Sequence, residues 1–135
     1  MRDLASVFKA LADETRLEML SLLFAHGELC VCDFSGTLEI NQSKASRHLQ
    51  YLKHAGILSD RRAGLWVYYA VRTDLDAPRK ALVANVRRVL EARDHSEVEA
   101  RFRRWMAQKA KYGAVCRIPV RRTRAAAGAA KEARR

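Results

Sequence analysis

Asn41-Gln42-Ser43-Lys44-Ala45-Ser46-Arg47-His48-Leu49-Gln50-Tyr51-Leu52-Lys53-His54-Ala55-Gly56 reads as one helix with a start signal, a stop signal and two unlike faces. Asn41 is of the type that caps a helix N-terminus, and Gly56 of the type that ends one. At 100° per residue, Ala45, Leu49 and Leu52 fall within a sector of about 60° and must face a core. Ser43, Arg47, Gln50 and His54 project to the other side, with Lys44, Ser46 and His48 flanking them. That outer face carries cations and small hydrogen-bonding groups and no acid, whereas ordinary solvated helix faces mix both signs. Gln bonds adenine edges, Arg bonds guanine edges, and Ser suits bases or phosphates, so the pattern is that of a helix that reads DNA.

The flanking sequence supplies what such a helix needs. Upstream, Leu4, Val7, Phe8 and Leu11 form the i, i+3, i+4, i+7 stripe of a short amphipathic helix. Asp13 caps a second helix with Leu17, Leu20 and Phe24 on one face and Gly27 at its end, and a short third helix runs from about Val31 to Leu38. Downstream the pattern changes to β-branched and aromatic residues. Leu58 to Arg62, a turn at Ala63-Gly64 and Leu65 to Val71 form a hairpin, with Arg61 and Arg62 adding cations to the DNA-reading set. The fold class is therefore mainly α with a small β-hairpin wing, a winged helix-turn-helix. Two more amphipathic helices follow, with stripes Leu82, Val86, Val89, Leu90 and Val98, Phe102, Trp105, Met106, which read as core or oligomer interface. Residues 1–112 are expected to form one domain for DNA binding and dimerisation, and residues 113–135 a basic, flexible tail.

Charge points to the same partner. Among 135 residues, 26 are Lys or Arg and 15 are Asp or Glu, a net +11, and the hydrophobic share of 49% is enough for a core. A surplus of that size favours a polyanion such as nucleic acid. No uncharged run exceeds nine residues, which excludes a helical membrane span, and the start Met1-Arg2-Asp3-Leu4 lacks the apolar stretch of a secretory signal. A cytoplasmic protein with reduced thiols is expected, and an odd number of cysteines, three, suits thiols or metal ligands better than a disulfide framework. Enzyme readings fail on their motifs. Cys116 and Arg122 match Cys-x5-Arg, but the intervening Arg117-Ile118-Pro119-Val120-Arg121 has no glycine to let backbone amides converge on an oxyanion. A purely architectural DNA binder fits poorly too, because neutral hydrogen-bonding groups are interleaved with the cations of 42–50.

Four segments in order, Leu11-Ala12-Asp13-Glu14-Thr15-Arg16-Leu17, Glu28-Leu29-Cys30-Val31-Cys32-Asp33, Gln42 to Leu49, and Gly64-Leu65-Trp66-Val67-Tyr68-Tyr69, resemble arsenical-responsive repressors of the ArsR/SmtB family. The resemblance runs from about residue 4 to about residue 93. It implies a homodimer joined through its first and fifth helices, double-stranded operator DNA as partner, no obligatory cofactor, and release by As(III) or Sb(III) as inducer. It also implies that Cys30 and Cys32 bind the metalloid. The third cysteine of the family's best-known box is replaced here by Ser35, and Cys116 is the other sulfur that could complete a three-sulfur site, from its own protomer or from the partner. The zinc site of other branches is not formed by Asp94 and His95 alone.

Soft thiolates favour thiophilic ions, and a trivalent metalloid with a lone pair takes sulfur in a pyramid. Cys-x-Cys followed by Asp is a poor core pattern, so a binding role is expected over a packing one. Positions i and i+2 on a helix point about 200° apart, so an intact third helix cannot chelate one atom with both Cys30 and Cys32, and binding is expected to unwind or distort its start. A helix N-terminus is also expected to lower the thiol pKa. The same thiols would serve the alternative readings, a redox-sensing or other soft-metal-sensing winged-helix repressor.

Overall fold

Three helix starts are set by a carboxylate or amide side chain. In the computed structural model, which describes residues 1–112, Asp13 accepts from the Arg16 N–H at 3.0 Å, Asn41 from the Lys44 N–H at 2.8 Å, and Asp76 from the Arg79 N–H at 3.0 Å. Each cap contributes about 1 kcal/mol by satisfying a donor the helix leaves open. The resulting order is α1 (Arg2–Leu11), α2 (Glu14–His26), β1 (Glu28–Cys30), α3 (Val31–Leu38), α4 (Gln42–His54), β2 (Leu58–Ala63), β3 (Trp66–Val71), α5 (Ala77–Glu91) and α6 (Ser96–Tyr112). The three strands form one antiparallel sheet in the order β1-β3-β2. Mostly helical, with this sheet as its wing, the chain has the expected winged helix-turn-helix architecture.

The core is built around α2. Met19, Leu20, Leu22 and Leu23 are all buried, against Val7 of α1, Leu49 and Leu52 of α4, Phe34 of α3 and Tyr69 of β3. This burial is wider than the expected Leu17, Leu20, Phe24 face, because α2 packs against α1, α4, α5 and both β1 and β3. Leu17 and Phe24 are only partly buried. The stripes of the outer helices are cut the other way. Phe8 is 53% and Val89 64% exposed, and Met106 is also exposed, since α1, α5 and α6 each turn only one edge of their apolar surface to the core.

Two local features differ from the sequence reading. Ala63 pairs with Trp66, so the hairpin turn is Gly64-Leu65, one residue later than expected. Gly64 takes φ 61° at the first loop position, where a two-residue hairpin with the right twist favours glycine. The second is β1. Its residues Glu28, Leu29 and Cys30 pair with Ala70, Tyr69 and Tyr68, which ties the wing to the segment that leads into α3.

Helix α6 lies across α3, and Gly36 makes this possible. A Cβ at Gly36 would stand 2.1 Å from a Trp105 ring carbon. Gly→Ala inside a helix ordinarily stabilises by about 1 kcal/mol, but overpacking costs about 1–3 kcal/mol, and here overpacking wins. Gly36→Ala should therefore lower the urea midpoint. The Gly36→Ala/Trp105→Ala double variant, which removes the clash, should show a smaller cost for the alanine at 36. Equal costs in both backgrounds would refute the close approach.

Candidate DNA-reading face and cysteine site

On α4 the groups left in solvent are Lys44, Arg47, Tyr51 and His54, a single stripe at helical spacing. Arg47, Tyr51 and His54 line a shallow cleft with Ser46 and Gln50. The remaining members of the expected reading set are placed differently. Ser46 is buried beside Ala45, and Ser43 is half-buried. His48 turns toward α2, its Nδ1 3.2 Å from Arg16 Nη1 and 3.8 Å from Asp13. Burial first, and then the Arg16, Lys44 and Arg47 cations, hold this imidazole below its ordinary pKa against the opposing pull of Asp13. A neutral ring at pH 7 lets Nδ1 accept from the guanidinium. Gln50 donates to the Tyr69 hydroxyl at 2.7 Å, which fixes α4 to the sheet, and Gln42 donates to the Cys32 sulfur at 3.4 Å.

Tyr51 was missed by the helical-wheel reading, which assigned only hydrogen-bonding and cationic groups to the outer face. The Arg16 guanidinium lies 4.2 Å over its ring and also donates to the Ala10 and Lys9 carbonyls, so one arginine holds the outer helix face, His48 and the end of α1 together. Cation–π geometry of this kind orients the ring without removing it from solvent. On the wing, Arg61 and Arg62 are both exposed. Arg61 is bound to Glu28 across the sheet, with Nε at 3.2 Å, and lies over the Tyr68 ring. That carboxylate neutralises part of the positive charge expected of the wing.

The cysteines sit where β1 becomes α3. Cys30 is the N-cap of α3, with extended φ −85° and ψ 163°, and Cys32 is the second helical residue. The 200° separation of two residues on one helix therefore does not govern this pair, because Cys30 leaves from strand-like backbone. Cys30, Cys32 and Asp33 are all buried, contrary to the expectation that this pattern would avoid the core. The physical reason is that Asp33 is saturated with donors. The Cys30 N–H and Sγ reach its Oδ2 at 3.0 and 3.3 Å, and Trp105 Nε1 and Lys109 Nζ, both from α6, reach its Oδ1 at 2.9 and 2.8 Å. Burial works against its charge, yet the bonds from Lys109 and Trp105 hold its carboxyl below the usual range.

Cys30 departs from the expected low thiol pKa. Burial, and after it the adjacent Asp33 carboxylate, push the thiol up to about 11, with Lys109 at 3.8 Å opposing. At neutral pH this sulfur is held as a protonated thiol, because the helix N-terminal field is weaker than desolvation beside an anion. Ser35, at the family's third-cysteine position, turns its hydroxyl to the Ile40 carbonyl at 2.6 Å. Cys116 lies outside the described residues. His95 is bonded to the Leu90 carbonyl, and among the described residues no group of three His, Cys, Asp or Glu side chains is gathered as for a metal ion.

Comparison with known proteins agrees with this architecture. The family model described as "Bacterial regulatory protein, arsR family" matches residues 13–60. Similar curated proteins include the arsenic resistance transcriptional regulator ArsR1 of Pseudomonas putida, 54% identical over 69 residues covering 51% of this chain and 54% of that protein. The arsenical resistance operon repressor of Escherichia coli is 49% identical over 71 residues, covering 53% of this chain and 61% of that one. The chain thus spans between half and two thirds of the length of these relatives. Among solved structures, the homodimeric winged helix-turn-helix DNA-binding domain Mb0332 of Mycobacterium bovis superposes with TM-score 0.56 at 36% identity, covering 70% of this chain and 84% of that one. These relatives are transcription regulators, not enzymes. With a helix-turn-helix, a wing and a buried Cys-x-Cys at the start of α3, the chain belongs to the arsR family of bacterial regulatory proteins.

Proposed function

We propose that this chain is a cytoplasmic, homodimeric repressor that holds double-stranded operator DNA through α4 and the wing and lets go when trivalent arsenic or antimony is taken up by Cys30 and Cys32. The observation that carries this reading is the contact between Cys32 and Gln42. The sulfur meets the first residue of the DNA-reading helix at 3.4 Å, while Cys30 pairs with Tyr68 of the wing. One ion bound to both sulfurs thus pulls on both DNA-contacting elements, and the geometry that binds metalloid competes with the geometry that binds DNA, as linkage requires. In the exchange, which requires the protein reduced so that Cys32 as well as Cys30 carries a thiol, each thiol proton leaves with one hydroxyl of arsenous acid as water while a sulfur–arsenic bond forms. Soft-ligand preference favours a third sulfur, and Cys116 is the remaining cysteine of the sequence. The names of the arsenic-resistance relatives support the same inducer.

Exposed Phe8 and Val89 on α1 and α5 supply apolar surface for the dimer that these helices are expected to form. Among the described residues no helix is long and apolar enough to cross a membrane.

The test is operator binding under a phosphine reductant, titrated with arsenite, antimonite, cadmium, zinc and, without reductant, peroxide. Release by arsenite or antimonite at concentrations where zinc and peroxide leave the complex intact is expected. Release by peroxide alone would replace this reading with a redox sensor, and release by cadmium or zinc alone with a divalent-metal sensor.

A further inference from the structure

We infer that Lys109 sets the ligand specificity of the cysteine site, favouring a neutral trivalent hydroxide such as arsenous or antimonous acid over a divalent cation. The inference rests on the metalloid reading of Cys30 and Cys32 above. Its basis is the set of bonds that α6 makes over those residues. Lys109 Nζ is 2.8 Å from Asp33 Oδ1 and 3.8 Å from Cys30 Sγ. Trp105 Nε1 shares Oδ1, and the Cys30 N–H and thiol occupy Oδ2.

A carboxylate offers about four acceptor positions, and four donors take them here. A divalent ion such as cadmium or zinc accepts oxygen as well as sulfur ligands, so Asp33 next to Cys30 is the natural extra donor for it. Lys109 closes that option twice over. It occupies the oxygen a cation would use, and its positive charge, part-buried over Asp33, repels an incoming dication at short range. Arsenous acid carries no net charge, binds through sulfur, and needs no carboxylate. The same ammonium is therefore an obstacle to a dication and nearly indifferent to the neutral hydroxide. The position of α6 is not incidental. Gly36 admits the Trp105 ring against α3, and His26 of α2 stacks on Phe102 at 3.8 Å and bonds Glu99, which holds the helix in register over the site.

The experiment uses the full chain under phosphine reductant, with sodium arsenite and cadmium chloride as ligands. Affinities are read by competition and by sulfur-to-metal charge-transfer absorbance. Lys109→Met should raise cadmium affinity relative to arsenite by about 10- to 100-fold, the usual reach of a group just outside a ligand set. Lys109→Arg, which keeps the charge, should leave the ratio near that of the unmodified chain. Adding Asp33→Asn to Lys109→Met should cancel the cadmium gain, because the released carboxylate is what supplies it. Lys109→Gln replaces the methionine variant if the latter loses its cooperative melt. A ratio unmoved by loss of the charge, or moved equally by arginine, overturns the inference while arsenite binding and operator release stand. Failure of the unmodified chain to bind arsenite defeats the metalloid reading itself, and this inference with it.

Discussion

Cys30→Ser and Cys32→Ser proteins should hold operator DNA about as tightly as the unmodified chain and fail to release it with arsenite. Serine preserves the local bonds. A hydroxyl at position 30 can still donate to Asp33 Oδ2, and one at position 32 can still accept from Gln42, so α3 and the start of α4 keep their positions. What is lost is a soft ligand. Chelation makes the second sulfur–arsenic bond intramolecular, and cutting one link of a two-point attachment forfeits about 100-fold or more in affinity. The measurement is fluorescence anisotropy of labelled operator titrated with arsenite. Loss of DNA binding in both variants, with the metalloid response of any residual complex unchanged, would make the pair structural. The buried position of Cys30 tolerates a hydroxyl because Asp33 Oδ2 accepts from it as it does from the thiol.

Arg47→Ala should weaken specific operator binding by about 1–3 kcal/mol per half-site, the range of a good bidentate contact to a base pair. Arg47 is exposed on α4 and lines the cleft with Tyr51 and His54, whereas His48 and Gln50 are turned to partners inside the fold. Binding to random DNA should fall much less. Removal of residues 117–135, which carry seven Lys and Arg against Glu132 alone, should act differently, lowering the salt slope and random-DNA affinity with little effect on sequence preference. Equal losses of specific and random binding in both proteins would show that α4 contributes charge without base readout.

Much of the site was legible along the chain because its signals are local. Caps at Asp13 and Asn41, the span of α3, the polarity of α4 and the β-branched run of the wing each depend on residues within a few positions of one another. Tertiary contacts decided the rest. Whether Cys30 is a strand residue or a helical one depends on pairing with Tyr68, 38 positions downstream in the chain, and three residues are too few to display a strand's alternation. Its raised pKa depends on burial and on Asp33, which outweigh the helix N-terminus that sequence order alone suggested.

The sequence by itself thus determined the winged helix-turn-helix, the face of α4 that must avoid the core, and the Cys-x-Cys pair, since periodicity, capping and ligand softness are properties of short segments. Only the tertiary structure decided that His48, Gln42 and Gln50 serve internal contacts while Tyr51 is exposed, and that Lys109 and Trp105 close over Asp33. Those assignments depend on which distant side chain arrives beside a given group. For a buried charge, that arriving partner determines whether it stays ionised, what it can bind and what it keeps out.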